Sequence, residues 1–110
     1  MNFRYSPDPY DYRTPLHIAA QYNNYRFIQT VSKFFETDFN AQDCHGYTAL
    51  HIAAQHGHEQ CLTALLANGR KVKLDFEGYD QVSPLHVAIA NDHVGTVRML
   101  LQSGANEHCF

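Results

Sequence analysis

The chain has 110 residues, 45% of them apolar and 17% charged, with a formal charge of -3. That balance excludes a disordered chain, and a domain of this size buries only about two thirds of its unfolded surface, so its core is modest. The densest basic run, Arg70-Lys71-x-Lys73, is too short for a nucleic-acid groove driven by counterion release, and no apolar stretch approaches the ~18 residues that span a bilayer.

The first predicted helix opens at Thr14, whose hydroxyl can accept an orphan backbone N–H. Pro15 takes the first helical position, where a missing N–H costs nothing. The segment reads Thr14-Pro15-Leu16-His17-Ile18-Ala19-Ala20 and closes at Asn23, a residue that tolerates the left-handed conformation of a helix end. Ile28, Val31, Phe34 and Phe35 follow at helical steps and predict a second helix. It has no glycine at its end and stops around Phe35-Glu36-Thr37. In Asp38-Phe39-Asn40-Ala41 the asparagine is expected to bond within its own turn. Asp43-Cys44-His45-Gly46 places Asp first and Gly fourth, the preference of a type I turn, and predicts a protruding hairpin-like tip.

The same succession then returns. Thr48-Ala49-Leu50-His51-Ile52-Ala53-Ala54 runs to Gly57, and Leu62, Leu65 and Leu66 form a second stripe that ends toward Gly69. A longer connector, Leu74-Asp75-Phe76-Glu77-Gly78-Tyr79-Asp80, leads to Ser83-Pro84-Leu85-His86-Val87-Ala88-Ile89, Asp92, the stripe Val97, Leu100, Leu101, and Gly104. At the third tip Gly78-Tyr79-Asp80-Gln81 has Gly and Asp out of order, so the same turn does not follow from it. The caps stand 34 and 35 residues apart. The unit is therefore two short helices and a connector, three times over.

The Thr-Pro-Leu-His-x-Ala-Ala core, the Asp-x-x-Gly turn before it and the Leu100-Leu101-Gln102-Ser103-Gly104-Ala105 ending resemble the ankyrin-repeat family. The match runs from about Tyr10 to Asn106, in units somewhat longer than the usual ~33 residues. The resemblance implies an all-α solenoid of stacked helix pairs, whose tips and first helices line a concave face. It also implies that His17, His51 and His86 make structural hydrogen bonds near the helix starts. One domain, 1–110, is expected, with repeats at about 10–42, 43–77 and 78–110. The third connector also looks like the longer repeats of the inhibitor-of-NF-kappa-B family. Asp38-Phe39-Asn40-Ala41 resembles a stretch hydroxylated on its asparagine in some ankyrin proteins, but local bonding is the preferred reading.

Little in the chain suggests chemistry. His56-x-His58-x-x-Cys61, with Cys44 and His45 near in sequence, offers metal-ligand types, but His17, His51 and His86 recur at one repeat position, and neither paired Cys-x-x-Cys motifs nor His-x-x-x-His spacing appears. Cys61 lies on an apolar stripe as a small hydrophobe, and Cys44 has only His45 to activate it. No phosphate-binding loop is present, and stacked helices lack the deep pocket that enzymes use. No catalytic residue, metal or cofactor is expected. Met1-Asn2-Phe3-Arg4-Tyr5-Ser6-Pro7 has no apolar secretory segment, and Cys44, Cys61 and Cys109 have no framework spacing, which points to a cytoplasmic or nuclear protein with reduced thiols.

Where the units repeat, packing accounts for the residue; where they differ at exposed positions, it does not. Those positions nominate Tyr10, Arg13, Tyr22, His45, Tyr47, Gln55, His56, Tyr79, Asp80 and Asn91 as the surface for another protein, with neither nucleic acid nor membrane as partner. Tyrosine recurs among them, and its ring supplies contact area at low entropic cost. The expected function is a non-catalytic adaptor or inhibitor. Alternatives are a regulatory repeat block of a larger enzyme or signalling protein, or an inhibitor of an NF-kappa-B-type transcription factor.

Overall fold

Each hydroxyl cap starts a first helix, and each first helix is followed within four residues by its antiparallel mate. The computed structural model describes residues 12–34 and 37–104. Expectations for Tyr10, Phe35, Glu36, Ala105, Asn106 and Cys109 lie outside these residues. The helices are α1 (Pro15–Gln21), α2 (Tyr25–Phe34), α3 (Ala49–His56), α4 (Glu59–Leu66), α5 (Pro84–Ala90) and α6 (Val94–Gln102), with a 3-10 turn at Gly69–Lys71. Among the described residues there is no strand.

First helices pack on one another in the order α1, α3, α5, and second helices in the order α2, α4, α6. The core lies between these two layers. Leu16, Ile28, Leu50, Ile52, Leu62, Leu65, Leu85 and Leu100 are all buried there. The small Ala19, Ala20, Ala53 and Ala54 are buried too and let neighbouring first helices approach closely. Phe34 departs from its expected stripe and is 72% exposed. Two successive steps of three residues rotate the stripe by about 120° from Ile28, which carries Phe34 off the buried face.

Histidines set the register between repeats. The backbone N–H of Thr14, Thr48 and Ser83 donates to Nδ1 of His17, His51 and His86 at 3.0–3.1 Å. Nδ1 is therefore the acceptor, and the ring proton sits on Nε2. From there His17 donates to the Tyr47 carbonyl at 2.7 Å and His51 to the Val82 carbonyl at 2.8 Å, each in the next repeat. A second pair reaches backward: His58 donates to the Gln21 carbonyl and His93 to the Gln55 carbonyl.

First helices end as the sequence suggests. Asn23, Gly57 and Asp92 have φ of 59°, 67° and 59°. The next N–H, of Asn24, His58 or His93, donates five residues back to Ala19, Ala53 or Ala88, which satisfies an orphan carbonyl. Gly57 is under a further constraint, because a Cβ there would lie 2.6 Å from Nδ1 of His93. Gly69 has a φ of 59° but open space where its Cβ would go. Gly69→Ala should therefore cost about 1 kcal/mol from backbone strain alone, and Gly57→Ala more than that. Urea denaturation of both variants checks the ordering.

Asn40 corrects the local reading of its turn. Its backbone N–H does bond to the Asp38 carboxylate. The side chain instead spans to the next repeat, donating to the Lys71 carbonyl and accepting from the Lys73 N–H, both at 2.9 Å. The amide needs two partners, and the neighbouring connector presents both.

Candidate protein-binding surface

The tips protrude from the cap ends of the first helices. In the second tip the Asp43 N–H bonds to the Tyr47 carbonyl, and the Gly46 N–H to the Asp43 carbonyl. Buried Asp43 also accepts the N–H groups of His45 and Tyr47 on Oδ1. The third tip makes the same turn despite its different sequence: Gly78 bonds to the Val82 carbonyl, and Gln81 to the Gly78 carbonyl. Gln81, at φ 66°, stands where Gly46 stands, two residues before the cap, and Tyr12 does likewise at φ 58°. Asp80 closes the turn by accepting the Val82 N–H.

Neighbouring tips are tied together by the residue just before each of the first two caps. Arg13 Nε lies 3.6 Å from the Asp43 carboxylate, and the same guanidinium donates to Gln21. Tyr47 donates its hydroxyl to Asp80 at 2.7 Å. Its ring stacks on His51 with centroids 4.7 Å apart and lies against Gly78. Burial and the Asp80 carboxylate push the Tyr47 phenol up to about 12, and the same hydrogen bond holds Asp80 below its usual range. The Tyr79 N–H donates to the His45 carbonyl.

The structure thus divides the nominated residues. Arg13 and Tyr47 are half-buried and committed to the neighbouring tip, with Asp80 as the exposed receiving group. Tyr22, His45, Gln55, His56, Tyr79 and Asn91 are exposed. Tyr22, His56 and Asn91 share one repeat position, eight residues past the cap, and are exposed in all three units. His56 stacks at 5.6 Å on His58, and burial followed by the charges of His58, Arg13 and His93 lowers its pKa. Asn91 closes α5 by donating to the Val87 carbonyl. Tyr10 lies outside the described residues. Cys61, by contrast, is fully buried with its thiol pushed up to about 11 by burial, and Cys44 is exposed on its tip.

Ile89 is a surface residue that sequence reasoning missed. It occupies the position of Ala20 and Ala54, which are completely buried, yet Ile89 is 47% exposed. The break in the Ala-Ala pattern was its visible signal.

Stacked helix pairs whose recurring residues pack and whose varying residues face outward define a solenoid built to present a surface. The model for ankyrin repeats matches residues 16–109 in three copies, and the chain belongs to the ankyrin-repeat family. It is similar to human B-cell lymphoma 3 protein, 36% identical over 99 residues, covering 86% of this chain and 21% of that protein. It is also similar to mouse NF-kappa-B inhibitor delta, 29% identical over 114 residues, covering 86% of this chain and 35% of that protein. The crystal structure of the ankyrin repeat domain of Bcl-3, a unique member of the IkappaB protein family, matches with a TM-score of 0.81 and 32% identity, over 92% of this chain and 46% of that one. The chain therefore spans well under half the length of these curated relatives.

Proposed function

We propose that this repeat block is a non-catalytic module that binds another protein through its tips and first helices, as an adaptor or inhibitor, and that its partner is an NF-kappa-B-type transcription factor. One observation carries the binding face. Residues that recur, such as Leu16, His17, Leu50 and His51, are buried, whereas Tyr22, His56 and Asn91 on the first-helix layer differ in every unit and stay exposed. Similarity to an NF-kappa-B inhibitor and to Bcl-3 supports the choice of partner.

The test is titration calorimetry of the chain against a purified NF-kappa-B subunit. Truncating a desolvated aromatic anchor costs about 2 kcal/mol, so Tyr22→Ala and Tyr79→Ala should each weaken binding about thirtyfold. Gln60 and Arg98, exposed on the second helices, should change it less than about threefold when replaced by alanine. A reversed pattern would move the interface to the other layer, and no binding by the parent chain would remove this partner.

A further inference from the structure

We infer that Tyr79 is a phosphoacceptor, a phenol displayed on an acidic tip in the form that a protein tyrosine kinase selecting carboxylates around its target can take. Tyr79 is 71% exposed, and its hydroxyl makes no hydrogen bond to any described residue. Asp75, Glu77 and Asp80, four and two residues before it and one after, are all exposed. Such a segment is electrostatically complementary to a basic substrate groove. Residues 76–78 have no regular structure, and Tyr79 and Asp80 lie in a turn closed by the Gln81 N–H on the Gly78 carbonyl and joined to the second tip by the Tyr79 N–H on the His45 carbonyl, so an active site reaches the phenol at the tip without unwinding a helix.

The other described tyrosines lack this combination. Tyr47 is half-buried, with its hydroxyl given to Asp80. Tyr25 is half-buried within α2, and Tyr22, though exposed, has no Asp or Glu within six residues on either side. Tyr12 is exposed and follows Asp8 and Asp11 in sequence, but the cationic Arg13 stands directly after it, where Tyr79 has Asp80.

In the reaction, the Tyr79 phenolic oxygen attacks the γ-phosphorus of magnesium-bound ATP. An oxygen–phosphorus bond forms, the bond from that phosphorus to the β,γ-bridging oxygen breaks, and ADP leaves with the electron pair. The phenolic proton passes to the kinase's catalytic carboxylate. The product adds about -1.5 to -2 charges and three acceptor oxygens to a tip that already holds three carboxylates. An exposed phosphotyrosine of this kind is a ligand for arginine-lined recognition pockets.

The experiment incubates the full chain with magnesium ATP and a purified tyrosine kinase of acidic-peptide preference, then maps phosphate by tandem mass spectrometry. One phosphate on Tyr79 is expected. Tyr79→Phe should lower incorporation at least about tenfold, Tyr47→Phe should leave it within about twofold, and Asp75→Asn with Glu77→Gln should slow it about fivefold or more. Circular dichroism of each variant shows that the fold is retained. Phosphate chiefly on Tyr12 or Tyr22, or incorporation into the parent no greater than into Tyr79→Phe, would overturn the assignment.

Discussion

Leu65→Ala is expected to lower stability by about 2–5 kcal/mol, a large share of what a domain of this size possesses. Leu65 is fully buried in α4, the central second helix, which packs against α2 on one side, α6 on the other, and α3 above. Neighbours on every side prevent the structure from collapsing into the space, so most of the cavity term remains. Leu50→Ala should behave alike, because Leu50 holds the matching central place in α3 between α1 and α5. Each kcal/mol lowers the melting temperature by about 4–8 °C in a domain of this length, so both variants should melt at least about ten degrees below the parent. Leu101→Ala is the control: at 39% exposure it should cost well under half as much. Calorimetric melts of the three variants check this. Central-leucine variants that melt within about two degrees of the parent would place the core elsewhere.

Acidification should destabilise the protein through His51. Burial lowers its pKa from 6.5 to about 4, against the opposing pull of the Val82 carbonyl and of the Asp43 and Asp80 carboxylates. Geometry gives the same direction, since a proton on Nδ1 would replace the acceptor that meets the Thr48 N–H. The folded value lies below the unfolded one. The stabilisation is therefore complete above pH 6.5 and is lost progressively as pH falls toward 4. A gap of two to three pH units corresponds to about 3 kcal/mol. Urea denaturation at half-unit steps from pH 7.5 to 4.5 should show this decline, and His51→Gln should start from lower stability and show a shallower slope. A parent curve that stays level across the window would remove His51 as the sensitive group.

The cap residues, the prolines after two of them, the left-handed positions Asn23, Gly57 and Asp92, and most of the apolar stripes were legible in the sequence. Each depends on chemistry within about one helical turn, and the turn's spacing is printed in the chain itself. The tethered role of Tyr47 was not legible. Its position before a cap marked it as a tip residue, but the ring stacks on His51 and the hydroxyl is taken by Asp80, 33 residues on. Tyr79 stands four residues before its cap, at the position of the equally exposed Cys44, and the residue that takes the place of Tyr47 in the third tip is Val82, which has no hydroxyl to give.

A three-unit array of helix pairs was already written in the chain, because the caps, most helix ends and the buried stripes are short-range signals repeated at 34 and 35 residues. Tertiary structure decided which of the varying side chains remain free. Asn40 was drawn onto the next connector, Arg13 onto Asp43, and Tyr47 onto Asp80. The third tip was held in a turn that its own tetrapeptide does not favour, with the Tyr79 N–H on the His45 carbonyl of the tip before it. The physical reason is common to all of them: a polar group is claimed by whichever partner stacking brings within hydrogen-bond or ion-pair reach, and in a solenoid that partner lies about one repeat away along the chain.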